Sequence, residues 1–199
     1  MSITTPKTST PKIAGFTLFE LIITMMIISA LVVFASARFG GSQGYDEFAY
    51  QARLISVLRN MQTRAMNDTR NSYCFQVNFD NSNNAFGPPS LNYNGLAANT
   101  CSSSIDVDNV MSGTSRNRFQ HMFALASELN EDGVNLQARN SLGNSISYIG
   151  FDALGKPITS DAGNDNCASG CSITFSTVVA TAKVCVESQG YVHAGECGD

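Results

Sequence analysis

From residue 16 to residue 37 the chain is apolar at nearly every position; from residue 45 to about residue 68 apolar residues recur only every third or fourth position. The first stretch holds one charge, Glu20, in 22 residues rich in Leu, Ile, Val, Phe and Met. As a helix rising 1.5 Å per residue it would span about 33 Å, enough for the hydrocarbon core of a bilayer. In the second stretch Leu54, Leu58, Met61 and Ala65 fall at i, i+4, i+7 and i+11, with Phe48 and Ile55 near the same face. Arg53, Arg59 and Asn60 are left to face water. That period predicts an amphipathic helix lying against a sheet. Gly40, Gly41 and Gly44 between the two should weaken or break the helix. They fit a kinked stem and a linker between two helices equally well.

Beyond residue 68 the pattern becomes strand-like. Residues 72–79 alternate, with Tyr73, Phe75, Val77 and Phe79 on one face and Cys74, Gln76 and Asn78 on the other. Residues 80–90 are rich in Asn, Gly and Pro and read as a loop or hairpin. Segments 105–110, 145–151, 172–179 and 183–186 predict strands, and 122–129 a short helix or a strand. The expected class is α+β: a long N-terminal helix, half transmembrane and half amphipathic, packed on an antiparallel β-sheet head. The expected divisions are a leader at 1–15, an apolar helix at 16–37, an amphipathic stem at 38–68 and a β-rich head at 69–199.

The 199 residues carry a formal net charge of -4, and charged residues make up 14% of the chain, low for a soluble protein. Loss of residues 1–15 would remove Lys7 and Lys12 and make the remainder more acidic, which disfavours nonspecific binding to nucleic acid. All six cysteines, Cys74, Cys101, Cys167, Cys171, Cys185 and Cys197, lie in the head. An even number in an exported segment reads as disulfides, and 15 pairings are open. Nearest neighbours are the expectation: Cys74 with Cys101, Cys167 with Cys171, Cys185 with Cys197. Cys167-x3-Cys171 fits a zinc site loosely, but no histidine lies close by in sequence, so no metal or other cofactor is expected. Asp80-x-Ser82-x-Asn84 lacks the sixth-position glycine and twelfth-position glutamate of a calcium loop. His121 and His193 sit in no catalytic motif, and no nucleotide or hydrolase fingerprint is present. No enzymatic activity is expected.

The N-terminus carries the most information. Residues 1–15 are short and polar, with two lysines and no acid, so the leader stays in the cytoplasm and the head crosses the membrane. An ordinary secretory signal has a shorter apolar run, with its small-residue cleavage site after it. Here Ala14-Gly15 precedes a run that is too long. A plain anchor leaves Glu20 unexplained, because a carboxylate in an apolar helix is expensive in lipid and usually has a functional partner. Cleavage after Gly15 supplies one. Phe16 would gain a free ammonium, and the Glu20 carboxylate of one subunit would neutralise the Phe16 ammonium of its neighbour. A buried charge left alone costs several kcal/mol, on the order of the values for unpaired interior ions, so the pair sets the register between stems.

The run Gly15-Phe16-Thr17-Leu18-Phe19-Glu20-Leu21-Ile22-Ile23 closely resembles the class III signal of type IV prepilins and type II secretion pseudopilins. Many members carry isoleucine where this chain has Phe19. The resemblance implies cleavage after Gly15 by a dedicated prepilin peptidase that also methylates Phe16, and a role for Glu20 in assembly. The segment around Tyr45-Asp46-Glu47-Phe48 and Gln62-Thr63-Arg64-Ala65-Met66 is similar to the stem of GspH/FimT-type minor pilins. Phe151-Asp152-Ala153-Leu154-Gly155-Lys156-Pro157 resembles that group's phenylalanine–glycine hairpin. The ending Val184 to His193 resembles the MshC-like minor pilins of mannose-sensitive haemagglutinin (MSHA) pili.

What the resemblance implies is a minor pilin of an adhesive type IV pilus, at low copy, at the tip or priming assembly. Its partners would be other major and minor pilins, the prepilin peptidase, the inner membrane and its assembly platform. It would sit in the inner membrane with the head in the periplasm, then on the cell surface. A type II secretion pseudopilin shares the same N-terminal physics. A DNA-binding minor pilin needs a basic patch, for which Arg116-x-Arg118 is the candidate outside the stem. Mass spectrometry of the chain from its producing cells should find methylated Phe16 as the first residue. Retention of residues 1–15, or scission beyond residue 37, would remove the basis of this reading.

Overall fold

The computed structural model describes residues 17–39, 44–68, 74–89, 102–105, 120–159 and 167–198. Gly15, Phe16, Cys101, Arg116 and Arg118 lie outside these residues, as do Gly40 and Gly41, the expected strand beyond Ile105, and the acidic segment 161–166. The chain divides into two compact units, Met1–Gly41 and Ser42–Asp199. The fold is α+β, an N-terminal helix followed by antiparallel sheets.

In the first unit, helix α1 runs Leu18–Phe39. Its large apolar side chains from Leu18 to Phe34 are exposed on every side, so the helix has no single core-facing stripe.

The second unit is the head. Its helix α2, Asp46–Asn67, buries Tyr50, Leu54, Val57, Leu58, Met61 and Ala65. A fully buried Leu or Met side chain is worth about 1.5–3 kcal/mol relative to exposure. The predicted face therefore forms, with Val57 and Tyr50 added to it. Phe48 is instead half exposed, and Arg59 does not simply face water, because its guanidinium donates twice to Val192 O, at 3.2 and 2.7 Å.

Where one sheet is expected, two four-stranded antiparallel sheets form. The first holds β1 (Gln76–Asp80), β2 (Ala85–Gly87), β4 (Tyr148–Phe151) and β5 (Pro157–Thr159), in the order β2-β1-β4-β5. The second holds β3 (Asn135–Arg139), β6 (Cys171–Ser176), β7 (Thr181–Val186) and β8 (Val192–Ala194), in the order β3-β6-β7-β8. Helix α2 contacts β1 and β4 of one sheet and β6, β7 and β8 of the other. A 3-10 turn at Gln120–Met122 and a short helix α3, Ala126–Glu131, occupy the region left open between helix and strand.

Side chains close the outer edge of β3. Asn84 Oδ1 accepts from Leu136 N–H at 3.1 Å and Asn81 Oδ1 from Ala138 N–H at 2.7 Å. Asn81 Nδ2 also donates to Ile146 O at 3.0 Å. These two asparagines belong to the β1–β2 turn of the first sheet. They satisfy edge donors that would otherwise invite another strand, and so tie the sheets together without a continuous ladder. Asn84 reaches β3 from a left-handed backbone, φ 55°, which asparagine tolerates better than most residues.

Strand β1 does not alternate between core and water. Gln76 and Asn78 are buried as well. Asn78 Nδ2 donates to Ser102 O and Ser104 O, both at 2.9 Å, and Gln76 Nε2 to Asn78 Oδ1 at 2.6 Å. A crossing segment, 102–105, thus covers the face that carries Gln76 and Asn78. Asn81→Ala should cost about 1–3 kcal/mol, the penalty for stranding a buried backbone donor. The check is a lower urea midpoint at an unchanged m-value.

Candidate functional site: a capped apolar helix and a cystine-braced head

Thr17 sits immediately before α1, and its Oγ1 accepts from Glu20 N–H at 3.2 Å. This is the N-cap arrangement, with Glu20 at the third helical position, the sequence form of a capping box. The acid also lies at the positive end of the helix dipole. So the Thr-x-x-Glu spacing starts the helix and places its single carboxylate in the first turn. Among the described residues that carboxylate meets no partner. The described polar side chains farther along, Thr24 and Ser29, are satisfied within the helix. Thr24 Oγ1 donates to Leu21 O at 2.9 Å and Ser29 Oγ to Met25 O at 2.7 Å. Internal back-bonding of this kind suits an apolar medium.

Side chains of α1 are described as far as Phe34, and over the described residues no helix is long and apolar enough to cross a membrane. The helical backbone itself continues through residues 35–39 to 22 residues, about 33 Å.

Residues 10–36 match the family model of the prokaryotic N-terminal methylation motif. That motif indicates a type IV pilin-like or pseudopilin precursor. No curated protein and no solved structure matches it. The motif implies processing by a prepilin peptidase, membrane anchoring and then assembly with pilus components. It points to a structural subunit. The matched segment contains Gly15, Phe16 and Glu20, and only Glu20 lies among the described residues.

In the head, Cys167 is joined to Cys171 and Cys185 to Cys197. Cys74 is also disulfide-bonded; Cys101, its expected partner, lies outside the described residues. Gly170 lets the two described cystines approach each other. At φ +89°, a Cβ there would fall 2.7 Å from Cys197 Cβ and 3.3 Å from Cys185 Sγ. Both described pairs are the nearest-neighbour ones expected from the sequence.

Glu187 closes the C-terminal end. Its Oε1 accepts from Gly198 N–H at 3.0 Å and lies 3.3 Å from His193 Nε2. The His193 ring stacks on Tyr191 with centroids 5.0 Å apart. The Gly198 N–H, then His193, hold the Glu187 carboxyl below the usual carboxylate range. Cys185, Glu187 and His193 lie close enough to suggest a metal cluster, but the Cys185 sulfur is bound in a cystine and is no thiolate ligand. The motif at Asp80 is a turn. Its carboxylate accepts from Asn83 Nδ2 at 2.8 Å, Asn83 N–H at 2.9 Å and Ser82 N–H at 3.0 Å. The Asn83 side chain leads in lowering its pKa.

On the other side of α2, Tyr50 O–H donates to Asp132 Oδ2 at 2.5 Å, while Arg53 pairs with Glu128 at 3.0 Å. Burial, then Asp132, push the phenol above its ordinary range. Lys183 pairs with Glu196 at 2.6 Å. His121 is exposed and sits at the 3-10 turn.

Because the folded pKa of Glu187 lies below its unfolded value, its contribution is full above the unfolded pKa, about 4.3 for glutamate. It is lost as pH falls through the folded value. Glu187→Gln should therefore lower stability at neutral pH, and the gap to the parent protein should close in acid. Thermal melts at pH 7 and below pH 4 check this.

Proposed function

We propose that the chain is a minor pilin of an adhesive, MSHA-like type IV pilus, held in the inner membrane by α1 and then built into the filament at low copy or at its tip. The observation that carries the reading is the capped helix α1, apolar on all sides, with one carboxylate three residues past its cap. In this reading cleavage after Gly15 frees the Phe16 ammonium, and Glu20 of one stem answers Phe16 of the next. Misregistered stems would strand one charge or the other in an apolar bundle.

Cystine bracing of β6, β7 and the C-terminal end supports a head exposed outside the cytoplasm, where such bonds persist. Surface placement, rather than a secretion pseudopiliation role, is the reading these braces and the Asn/Ser-rich loops favour. A DNA-receptor role would rest on Arg116-x-Arg118, which lie outside the described residues. Loss of attachment in a deletion strain supports the adhesive reading; loss of enzyme export instead supports a type II secretion pseudopilin.

The charge at Glu20 is separable from the helix start, because Thr17 caps the Glu20 backbone N–H and the carboxylate itself meets no partner among the described residues. Glutamine is also accepted at the third position of a capping box, so Glu20→Gln keeps the helix start while removing the charge. Both Glu20→Ala and Glu20→Gln should be processed normally and incorporated poorly into sheared filaments. Normal incorporation of Glu20→Gln would refute the charge-pairing role.

A further inference from the structure

The turn between β6 and β7 places two valines in water. Val178 is 95% exposed and Val179 62% exposed, and Tyr45 in the chain leading into α2 is 79% exposed. These residues belong to one end of the head. A Cβ on Gly44 would lie 3.9 Å from Val179 Cγ1.

The turn is held firmly despite its exposure. Thr177 N–H donates to Ala180 O at 3.0 Å, and Thr177 Oγ1 accepts from the N–H groups of Val179 and Ala180, both at 3.2 Å. The same hydroxyl donates to Oε1 of Glu47, a fully buried side chain in the first turn of α2. A buried carboxylate therefore locks the turn to the start of the stem helix. Holding a tip rigid from inside while its two apolar side chains point out suits a surface that is covered in use.

We propose that this turn is a membrane foot. While the subunit is anchored and before it enters a filament, Val178 and Val179 insert into the interfacial region of the bilayer, with Tyr45 at head-group level. The occupant follows from continuity along the chain. Only residues 40–43 separate the last residue of α1 from Gly44, so the turn belongs to the end of the head joined to the apolar helix. The chemistry agrees. Residues 177–180 carry no charge, and their one side-chain hydroxyl is used internally. Tyrosine is enriched at membrane–water boundaries, and apolar side chains on interfacial elements reach about 5–10 Å into them. The turn is already ordered, so insertion costs little conformational entropy. The inference rests on the anchored reading of α1.

The chain has no tryptophan, so a single introduced one reports its own surroundings. Val178→Trp probes the foot. Leu154→Trp is the control, because Leu154 is 77% exposed in the β4–β5 turn, where Gly155 meets Met66 near the far end of α2. Residues 47 and 62 alone are about 22 Å apart along that helix. The full chain, carrying each substitution, is reconstituted in phosphatidylcholine vesicles, and flotation reports the anchor separately. Val178→Trp should show blue-shifted emission, protection from acrylamide and quenching by lipids brominated near the head group. Leu154→Trp should stay red-shifted and accessible. Adding Val179→Asp to Val178→Trp should restore water exposure. A chain that floats while both reporters behave as water-exposed overturns the foot and leaves the anchor standing. A chain that does not float overturns both.

Discussion

One helix face has to serve two sheets. The inner surfaces of β2-β1-β4-β5 and β3-β6-β7-β8 are covered in large part by α2, and the buried row Leu54, Val57, Leu58, Met61 and Ala65 is shared between them. Most other features of the head follow from this constraint. A helix that bridges two sheets must be clamped to both, because apolar packing alone does not fix where each sheet lies. Polar side chains of α2 supply the clamps. Gln62 Nε2 donates to Gly155 O at 2.8 Å in the first sheet's β4–β5 turn and to Gly190 O at 2.7 Å in the second sheet's β7–β8 turn. The two turns meet so closely that a Cβ on Gly190, at φ +89°, would lie 1.9 Å from Gly155 O. Arg59 and Gln51 make similar contacts to Val192 O and Lys183 O.

The same logic operates where the helix does not reach. Asn81 and Asn84 join the sheets through the edge of β3, and the two described cystines brace the C-terminal end near Gly170. Such bonds act locally and add to the apolar core without enlarging it. A head of this size buries a modest core.

The N-terminal unit obeys a different solvent. Thr24 and Ser29 bond to their own helix and the described apolar side chains face outward, the reverse of the head. Thr17 and Glu20 show how one short motif meets two demands. The threonine satisfies the Glu20 amide at the helix start, and the spacing that does so leaves the carboxylate available for a partner from outside the helix. A pilin-like precursor needs both units: a stem stable in lipid or in a bundle of like stems, and a head stable in water.

Features set by short-range chemistry were legible in the sequence. The apolar run, its single acid, the Thr-x-x-Glu start and the period of α2 depend on residues a few positions apart, so the α+β class and the pilin-like signal could be read directly. The strands β5 and β8 were not read, because Pro157–Thr159 and Val192–Ala194 are three residues each and exist through their partners, and β3, Asn135–Arg139, was missed although Leu136 and Ala138 alternate with polar neighbours. Val178 and Val179 looked like the end of a strand, yet they form an exposed turn. The burial of Glu47, Gln76 and Asn78 was equally hidden. Whether a polar side chain is buried depends on what lies over it, here the 177–180 turn and the 102–105 segment. Those neighbours are brought together only when the chain has folded, since they lie tens of residues away in sequence.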